Sequence, residues 1–278
     1  MQDTLDDREI TRLKAISKEV RKDIVEMTMR TGNSGAHIGG SLSIVELLTV
    51  LYVSKLRYYI DDMLWKERDR VILSKGHAAM ALYALFAEIG IIKKEELKEF
   101  KMDGGRLSGH PALNGLPGIE FASGSLGQGL SLGVGVSIAL KHKGLDTPKV
   151  YVLLGDGECN EGSIWEAALS ASHFGCDNLV AIIDRNNIQY DGYTVDVMSM
   201  DPIEDKWKAF GWKTITVNGH NVSEICKAYN SIITGPTVII ADTIKGKGIS
   251  FMENNPLYHN AVLTKEQYEV SLLEIENG

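Results

Sequence analysis

Across residues 149–192 the chain reads strand, tight loop, helix, strand, and both strands run straight into polar residues. Lys149-Val150-Tyr151-Val152-Leu153-Leu154 is an apolar, β-prone run that breaks into Gly155-Asp156-Gly157-Glu158-Cys159-Asn160-Glu161-Gly162. Ile164, Trp165, Ala167, Ala168, Ala171 and Phe174 are then spaced for one helix face, and Leu179-Val180-Ala181-Ile182-Ile183 forms a second buried strand ending in Asp184-Arg185-Asn186-Asn187. In a parallel sheet the carboxyl ends of the strands face one side and ligands bind in the crevice there, so Asp156 and Asn186 converge at that edge. A carboxylate, an amide oxygen and a backbone carbonyl suit a hard cation such as Mg2+, which also accepts phosphate oxygens. Gly155 and Gly157 would let the backbone approach phosphates closely. Gly-Asp-Gly alone also fits a strand-to-helix turn with a solvated Asp; Asn186-Asn187 at the end of the very next strand strengthens the ligand reading.

Composition narrows the class. With 278 residues, 44% of them hydrophobic, the chain is long enough for a large core, and one domain over 1–278 with an N-terminal helical arm and a C-terminal helix fits best. The net charge of -8 is spread without a basic stripe, so nucleic acid is not an expected partner. Three cysteines, Cys159, Cys176 and Cys226, lie far apart with no CxxC spacing, which points to a reducing compartment and away from zinc. The acidic start shows neither signal nor transit character, and no apolar run approaches ~20 residues, so a cytoplasmic chain with no membrane span is expected.

Taken in order, residues 4–30 carry Ile10, Leu13, Ile16, Val20, Ile24 and Met27 at helical spacing, which predicts a long surface helix ending at Thr31-Gly32-Asn33-Ser34-Gly35. His37 follows, between glycines; it is either a loop histidine without a role or a sign that something approaches the backbone. Ser43 is expected to cap a helix through Leu56, and residues 69–74 form the first core strand. That strand ends in Lys75-Gly76-His77-Ala78, where His77 is a helix cap or another strand-end ligand, and Met80, Leu82, Tyr83, Leu85 and Phe86 mark the next helix. Residues 93–101 read as a short charged helix, and His110 sits in a glycine-flanked loop. Gly124-Ser125-Leu126-Gly127-Gln128-Gly129 leads a small-residue helix to Lys143; Leu132 at the third glycine position excludes a dinucleotide fingerprint, but the helix start could offer N–H groups to an anion. Strands over 211–217 and 236–241 flank a helix over 223–233. Lys245 and Lys247 then admit a reading as surface charges, and a closing amphipathic helix covers 263–275.

Gly155-Asp156-Gly157 followed at this spacing by Asn186-Asn187 resembles the fingerprint of thiamine-diphosphate (ThDP) enzymes. Asn33-Ser34-Gly35-Ala36-His37-Ile38-Gly39, Leu73-Ser74-Lys75-Gly76-His77-Ala78, Gly109-His110-Pro111, Gly127-Gln128-Gly129 and Glu161-Gly162-Ser163-Ile164-Trp165-Glu166-Ala167 narrow the resemblance to transketolase, over nearly the whole chain but only the first half of a conventional one. The resemblance implies Asp156, Asn186 and the Ile188 carbonyl as metal ligands for Mg2+, with Ca2+ or Mn2+ as substitutes. It places His77, Leu126, Gly127, Gly155, Gly157, Asn186, Lys245 and His259 around the ThDP. It puts His37, His110 and His259 on sugar hydroxyls or the reacting oxygen, histidine being suited by its near-neutral pKa. Two departures stand out: Ala36 lies between Gly35 and His37, and Ser125 stands where proline is common.

The fold expected is α/β, doubly wound, with a mainly parallel sheet and helices on both faces. By the resemblance this is the diphosphate-binding subunit of a split transketolase, moving a two-carbon ketol unit between sugar phosphates. The partner chain would carry the pyrimidine-binding domain and the activating glutamate, since no strand-end glutamate is left over here, in an α2β2 complex containing a homodimer of this chain. Glu161 is either a solvated helix-start residue or, by resemblance, a contact to that partner near its activating glutamate, counted with His37, His110 and His259 among the catalytic residues because it serves catalysis as well as assembly. Deoxyxylulose-phosphate synthase lacks the Glu161–Ala167 pattern, and a 2-oxo acid dehydrogenase subunit lacks the series His37, His77, His110. A noncatalytic ThDP-binding module would not need every polar motif residue intact.

Overall fold

The computed structural model describes residues 6–232 and 235–278. The strands are β1 (Arg70–Leu73), β2 (Val150–Gly155), β3 (Leu179–Arg185), β4 (Ile188–Gln189), β5 (Gly192–Tyr193), β6 (Lys213–Asn218) and β7 (Thr237–Asp242). Five of them form one sheet in the order β1-β2-β3-β7-β6, every pair parallel, while β4 and β5 make a small antiparallel hairpin. The expected α/β architecture is the observed one.

Helices cover both faces: α1 (Asp7–Arg30), α2 (Ile38–Leu42), α3 (Val45–Val50), α4 (Ala79–Glu88), α5 (Gln128–His142), α6 (Gly162–His173), α7 (Thr194–Met198), α8 (Ile203–Ala209), α9 (Val222–Asn230) and α10 (Lys265–Asn277). Strand alternation divides the core between them. Val150, Val152 and Leu154 of β2, with Leu179, Ala181 and Ile183 of β3, pack with α5, α6 and α8. Tyr151, Leu153, Val180 and Ile182 point the other way, into the core shared by α1, α3, α4 and α9. A strand buried on both faces shows no alternation in its sequence, which is why these runs read as uniformly apolar.

Several elements differ from expectation. Ser43 starts no helix to Leu56: it closes α2, a bend separates α3, and residues 51–55 widen into a π-turn. Its hydroxyl goes instead to Asp184 Oδ2, 2.7 Å away. The strand at 69–74 lies at an edge of the sheet, and residues 94–99 form a 3-10 turn. Helix α1 is less a surface helix than expected, since packing against α3, α4 and α10 buries Val20, Arg21, Asp23, Ile24, Val25, Met27 and Thr28. Its expected start at Thr4, like the expected end of α9 at Ile233, falls outside the described residues. No described helix is long and apolar enough to cross a membrane.

Helix α5 lies against β2 through Gly133, where an added Cβ would come within 2.5 Å of Val152 Cγ2. Gly133→Val is therefore expected to lower the unfolding free energy in urea by about 1–3 kcal/mol through overpacking. Gly135→Ala, with nothing within 4 Å of its added methyl, is expected to raise it by about 0.5–1 kcal/mol.

Candidate active site

The strand ends gather around one buried carboxylate. Asp184, at the end of β3 and fully buried, accepts from Ser43 Oγ, from Asn186 Nδ2 at 2.7 Å, from Thr243 Oγ1 just past β7, and from the buried Lys75 ammonium just past β1. Burial alone would push its carboxyl up; the Lys75 charge and these bonds outweigh that and hold it below the usual range. Lys75 also donates to Gly40 O at 2.9 Å, bringing in α2.

Asp156, the next acid along the edge, is treated differently. It is 6% exposed and accepts from two backbone groups, Gly157 N at 2.7 Å and Asn187 N at 2.6 Å. Asn187 reaches it from a left-handed conformation, φ 61°, which asparagine tolerates better than most residues. No cation among the described residues forms an ion pair with Asp156, and burial with the nearby Asp184 charge pushes its pKa up to about 6. Beside it, the bond from Asn186 Nδ2 to Asp184 turns the amide oxygen outward, where it accepts from Ile188 N at 3.1 Å. The Ile188 carbonyl accepts from Lys245 Nζ at 2.8 Å.

Four histidines face this edge. The His37 ring centroid lies 5.7 Å from that of His77, 5.6 Å from His110 and 5.5 Å from His259, and His77 stacks on His259 at 5.3 Å. Burial, then neighbouring positive charge, lowers all four pKa values: His37 to about 4, with His110 and Lys101 contributing, and His259 to about 3, with Lys245 contributing. Lys245 itself, buried and 2.8 Å from His259 Nδ1, falls to about 8 through burial and the Lys75 charge. Near neutral pH the imidazoles are thus uncharged.

These groups share a cleft of ≈ 410 Å3 lined by His37, His77, His110 and His259, by Asp156, Glu161, Asn186, Ile188 and Lys245, and by Leu126, Gly155 and Gly157. Two of the motif glycines are also engaged within the fold. The Gly127 N–H, at the start of α5, is not open to an anion: it donates to Glu158 Oε1 at 2.9 Å, and Gly129 N is taken by Ser74 Oγ. At Gly157 an added Cβ would come 2.9 Å from Gln189 Cβ, so the missing side chain makes room for Gln189. Lys245 is no surface charge, whereas Lys247 pairs with Glu253 at 3.0 Å, partly exposed.

Sequence reasoning missed Lys75, Glu158 and Asp184. Glu158 is a strand-end glutamate, but its buried carboxylate is occupied by Ser74 Oγ, Gly127 N and Gly155 N. The signal for Lys75 and Asp184 was their place at strand ends beside the motif residues. Ala36 forms a two-bond bridge with Ala261, each N–H donating to the other's carbonyl at 3.0 Å, and this sets His37 against the segment carrying His259.

Residues 14–276 match the family model described as transketolase, thiamine diphosphate binding domain. The chain belongs to the transketolase family. It is similar to an apulose-4-phosphate transketolase subunit of Phocaeicola vulgatus, 42% identical over 270 residues that cover 96% of this chain and 95% of that protein. It also resembles the 6-deoxy-6-sulfo-D-fructose transketolase subunit SqwG of Clostridium sp., 42% identical over 86% of this chain and 88% of that one. Among solved structures, transketolase from Campylobacter jejuni superposes with a TM-score of 0.87 at 29% identity, over 98% of this chain and 43% of that one. The chain thus spans about two fifths of that full-length transketolase and most of the length of the two smaller relatives; it is an N-terminal subunit of the transketolase type, and the family's dependence on thiamine diphosphate comes with membership.

The uncharged histidines carry a stability consequence. Because His37 binds its proton only near pH 4 when folded and near 6.5 when unfolded, its contribution is fully present above pH 6.5 and is lost as pH falls toward 4. His37→Gln is expected to flatten the dependence of the urea midpoint on pH across that window; unchanged curvature would mean that the imidazole is not desolvated.

Proposed function

We propose that the cleft binds thiamine diphosphate with Mg2+, for which Ca2+ or Mn2+ substitutes, and that with a second subunit it transfers a two-carbon ketol unit from a ketose phosphate to an aldose phosphate. The observation that carries the reading is Asp156, a buried carboxylate bonded to two N–H groups and in an ion pair with no cation among the described residues, the nearby Lys75 being paired with Asp184. A divalent ion held by Asp156, the Asn186 amide oxygen and the Ile188 carbonyl would supply that charge through the hard oxygen donors it prefers. Lys245, now on the Ile188 carbonyl, would turn with His77 and His259 toward the diphosphate, and Leu126, Gly155 and Gly157 would wall it, with Gly127 behind. When bound, the cofactor supplies the nucleophilic carbon and the electron sink for C–C cleavage. His37, His110 and His259, uncharged, accept hydrogen bonds and protons from sugar hydroxyls and hold the reacting oxygen. We take residues 1–278 as one diphosphate-binding domain.

The partner is proposed to bring the pyrimidine-binding domain and its activating glutamate, in an α2β2 assembly built on a homodimer of this chain. That the relatives from Phocaeicola vulgatus and Clostridium sp. are named as subunits supports a second chain. So do Tyr190, Val195 and Met198, which stand exposed beside the cleft and the 157–160 turn and suit burial by a partner. Glu161, exposed at the head of α6, is the proposed polar contact to it. The three cysteines are free and buried, in accord with a reducing compartment, and we place the chain in the cytoplasm.

Two measurements test this. In titration calorimetry with Mg2+, Asp156→Ala is expected to weaken ThDP binding at least about tenfold and Asn186→Ala less, because the remaining oxygens hold the ion incompletely; unchanged affinity for Asp156→Ala would remove the metal assignment. Assayed with ThDP, Mg2+ and a ketose-phosphate plus aldose-phosphate pair, the lone chain is expected to show almost no turnover until the second chain is added. Full turnover by the lone chain would overturn the two-chain reading.

A further inference from the structure

A second cleft, ≈ 480 Å3, opens between α1, the start of α9 and the 247–248 turn, with Arg21, Glu46 and His220 along its wall. Three of its cations are already matched, Arg21 by Glu46 at 2.6 Å, Lys18 by Glu276 at 3.3 Å and Lys247 by Glu253 at 3.0 Å. What joins this wall to the cofactor cleft is His220. Its Nε2 lies 2.8 Å from the backbone nitrogen of Ile244, and its Nδ1 lies 3.0 Å from Glu46 Oε2. A peptide N–H can only donate, so Nε2 is the acceptor, the ring proton sits on Nδ1, and it points at Glu46. Glu46 is a dependable acceptor: against burial, Arg21 and the bond to His220 hold its pKa at about 2.

We infer that His220 is a positioning residue for Lys245: it fixes the backbone of the turn after β7 from which Lys245 reaches the cleft. Within two residues of Lys245 four N–H groups of that turn are bonded, Lys247 N to Ile244 O within the turn itself and three to groups outside it. Thr243 N donates to Arg185 O at 3.1 Å and Gly246 N to Gly39 O at 3.0 Å, both backbone carbonyls, while Ile244 N has the His220 ring as its acceptor. The neighbouring turn is built to bring the ring within reach. Gly219 N donates to Asp242 O at 2.7 Å, and an added Cβ there would lie 2.4 Å from Thr243 Cγ2, so only glycine lets the β6 and β7 exits close on each other. The chain Arg21, Glu46, His220, Ile244, Lys245 therefore runs from helix α1 to the ammonium that meets His259 and the Ile188 carbonyl. Removing the ring leaves a half-buried N–H without its acceptor, and the turn gains freedom at the residue beside Lys245.

The test uses the purified chain and the variants His220→Leu, which removes both ring nitrogens, and His220→Gln, whose amide offers a donor and an acceptor. The binding readout rests on the function proposed above; the exchange readout does not. By hydrogen exchange, His220→Leu is expected to speed the 243–248 amides about tenfold with the sheet unchanged, and His220→Gln to restore much of the protection. With ThDP and Mg2+ as probe, His220→Leu is expected to lower affinity about tenfold in the natural background and to add almost nothing in a Lys245→Ala background, as groups acting through one another do. Unchanged exchange at 243–248 in a folded His220→Leu, loss of protection spread evenly through the chain, or equal affinity losses in both backgrounds would overturn the inference. If the unaltered chain bound no ThDP, the function proposed above would fail, and the exchange comparison would still decide the role of His220.

Discussion

A negative charge sits where water does not reach, at the point where the strands of the sheet end. Asp184 is tolerated there because Lys75 neutralises it and Ser43, Asn186 and Thr243 occupy its remaining lone pairs. Each of those partners comes from a different segment: the exit of β1, the end of α2, the residues after β3 and the exit of β7. A buried pair of this kind adds little net stability beyond what an apolar substitute would give, but a broken one is costly, so it acts as a strong constraint on arrangement. The segments that bear His37, His77, Asn186 and Lys245 are held in register by satisfying one carboxylate.

The same constraint explains what the sequence reveals and what it hides. The βαβ unit around Asp156 was legible because two uniformly apolar runs end in polar clusters, a pattern that survives without any tertiary information. His37, His77 and His110 stood out by their glycine neighbours, whereas His259 has none and was named only by the resemblance. Lys75 and Asp184 did not, because a buried charge is recognisable only once its partner is known, and theirs lies 109 residues away in the chain. Ser43 has the look of a helix cap; its hydroxyl serves Asp184, and only the fold supplies that acceptor. Glu158 reads as one more polar loop residue, yet it ties β2 to the start of α5. The hairpin β4–β5 is two residues per arm, too short for any periodic signal.

Electrostatically, the cleft keeps its ammonium groups and its imidazoles in different states. Lys75 is engaged by Asp184, the Lys245 pKa is lowered to about 8, and the four rings are kept uncharged by burial and by nearby cations, Lys75 and Lys245 at His77 and His259, Lys101 and Lys245 at His37, and Lys101 at His110. Positive charge is thereby concentrated on the side chains at the floor, while the rings above remain proton acceptors.

The bridge between Ala36 and Ala261 couples positions far apart in the chain. Contacts that distant close late, since loop entropy must be lost before the contact can offset it. On the ribosome, the sheet from β1 through β3 has all its residues long before residue 261 emerges, whereas His37 has nothing to hold it against His259 until then. The scaffold and the ring cluster are therefore separated in time as well as in space: a nascent chain holds every residue of β1, β2 and β3 well before it can form the cleft, and a break in either short arm of that bridge would loosen the cluster while leaving the sheet intact.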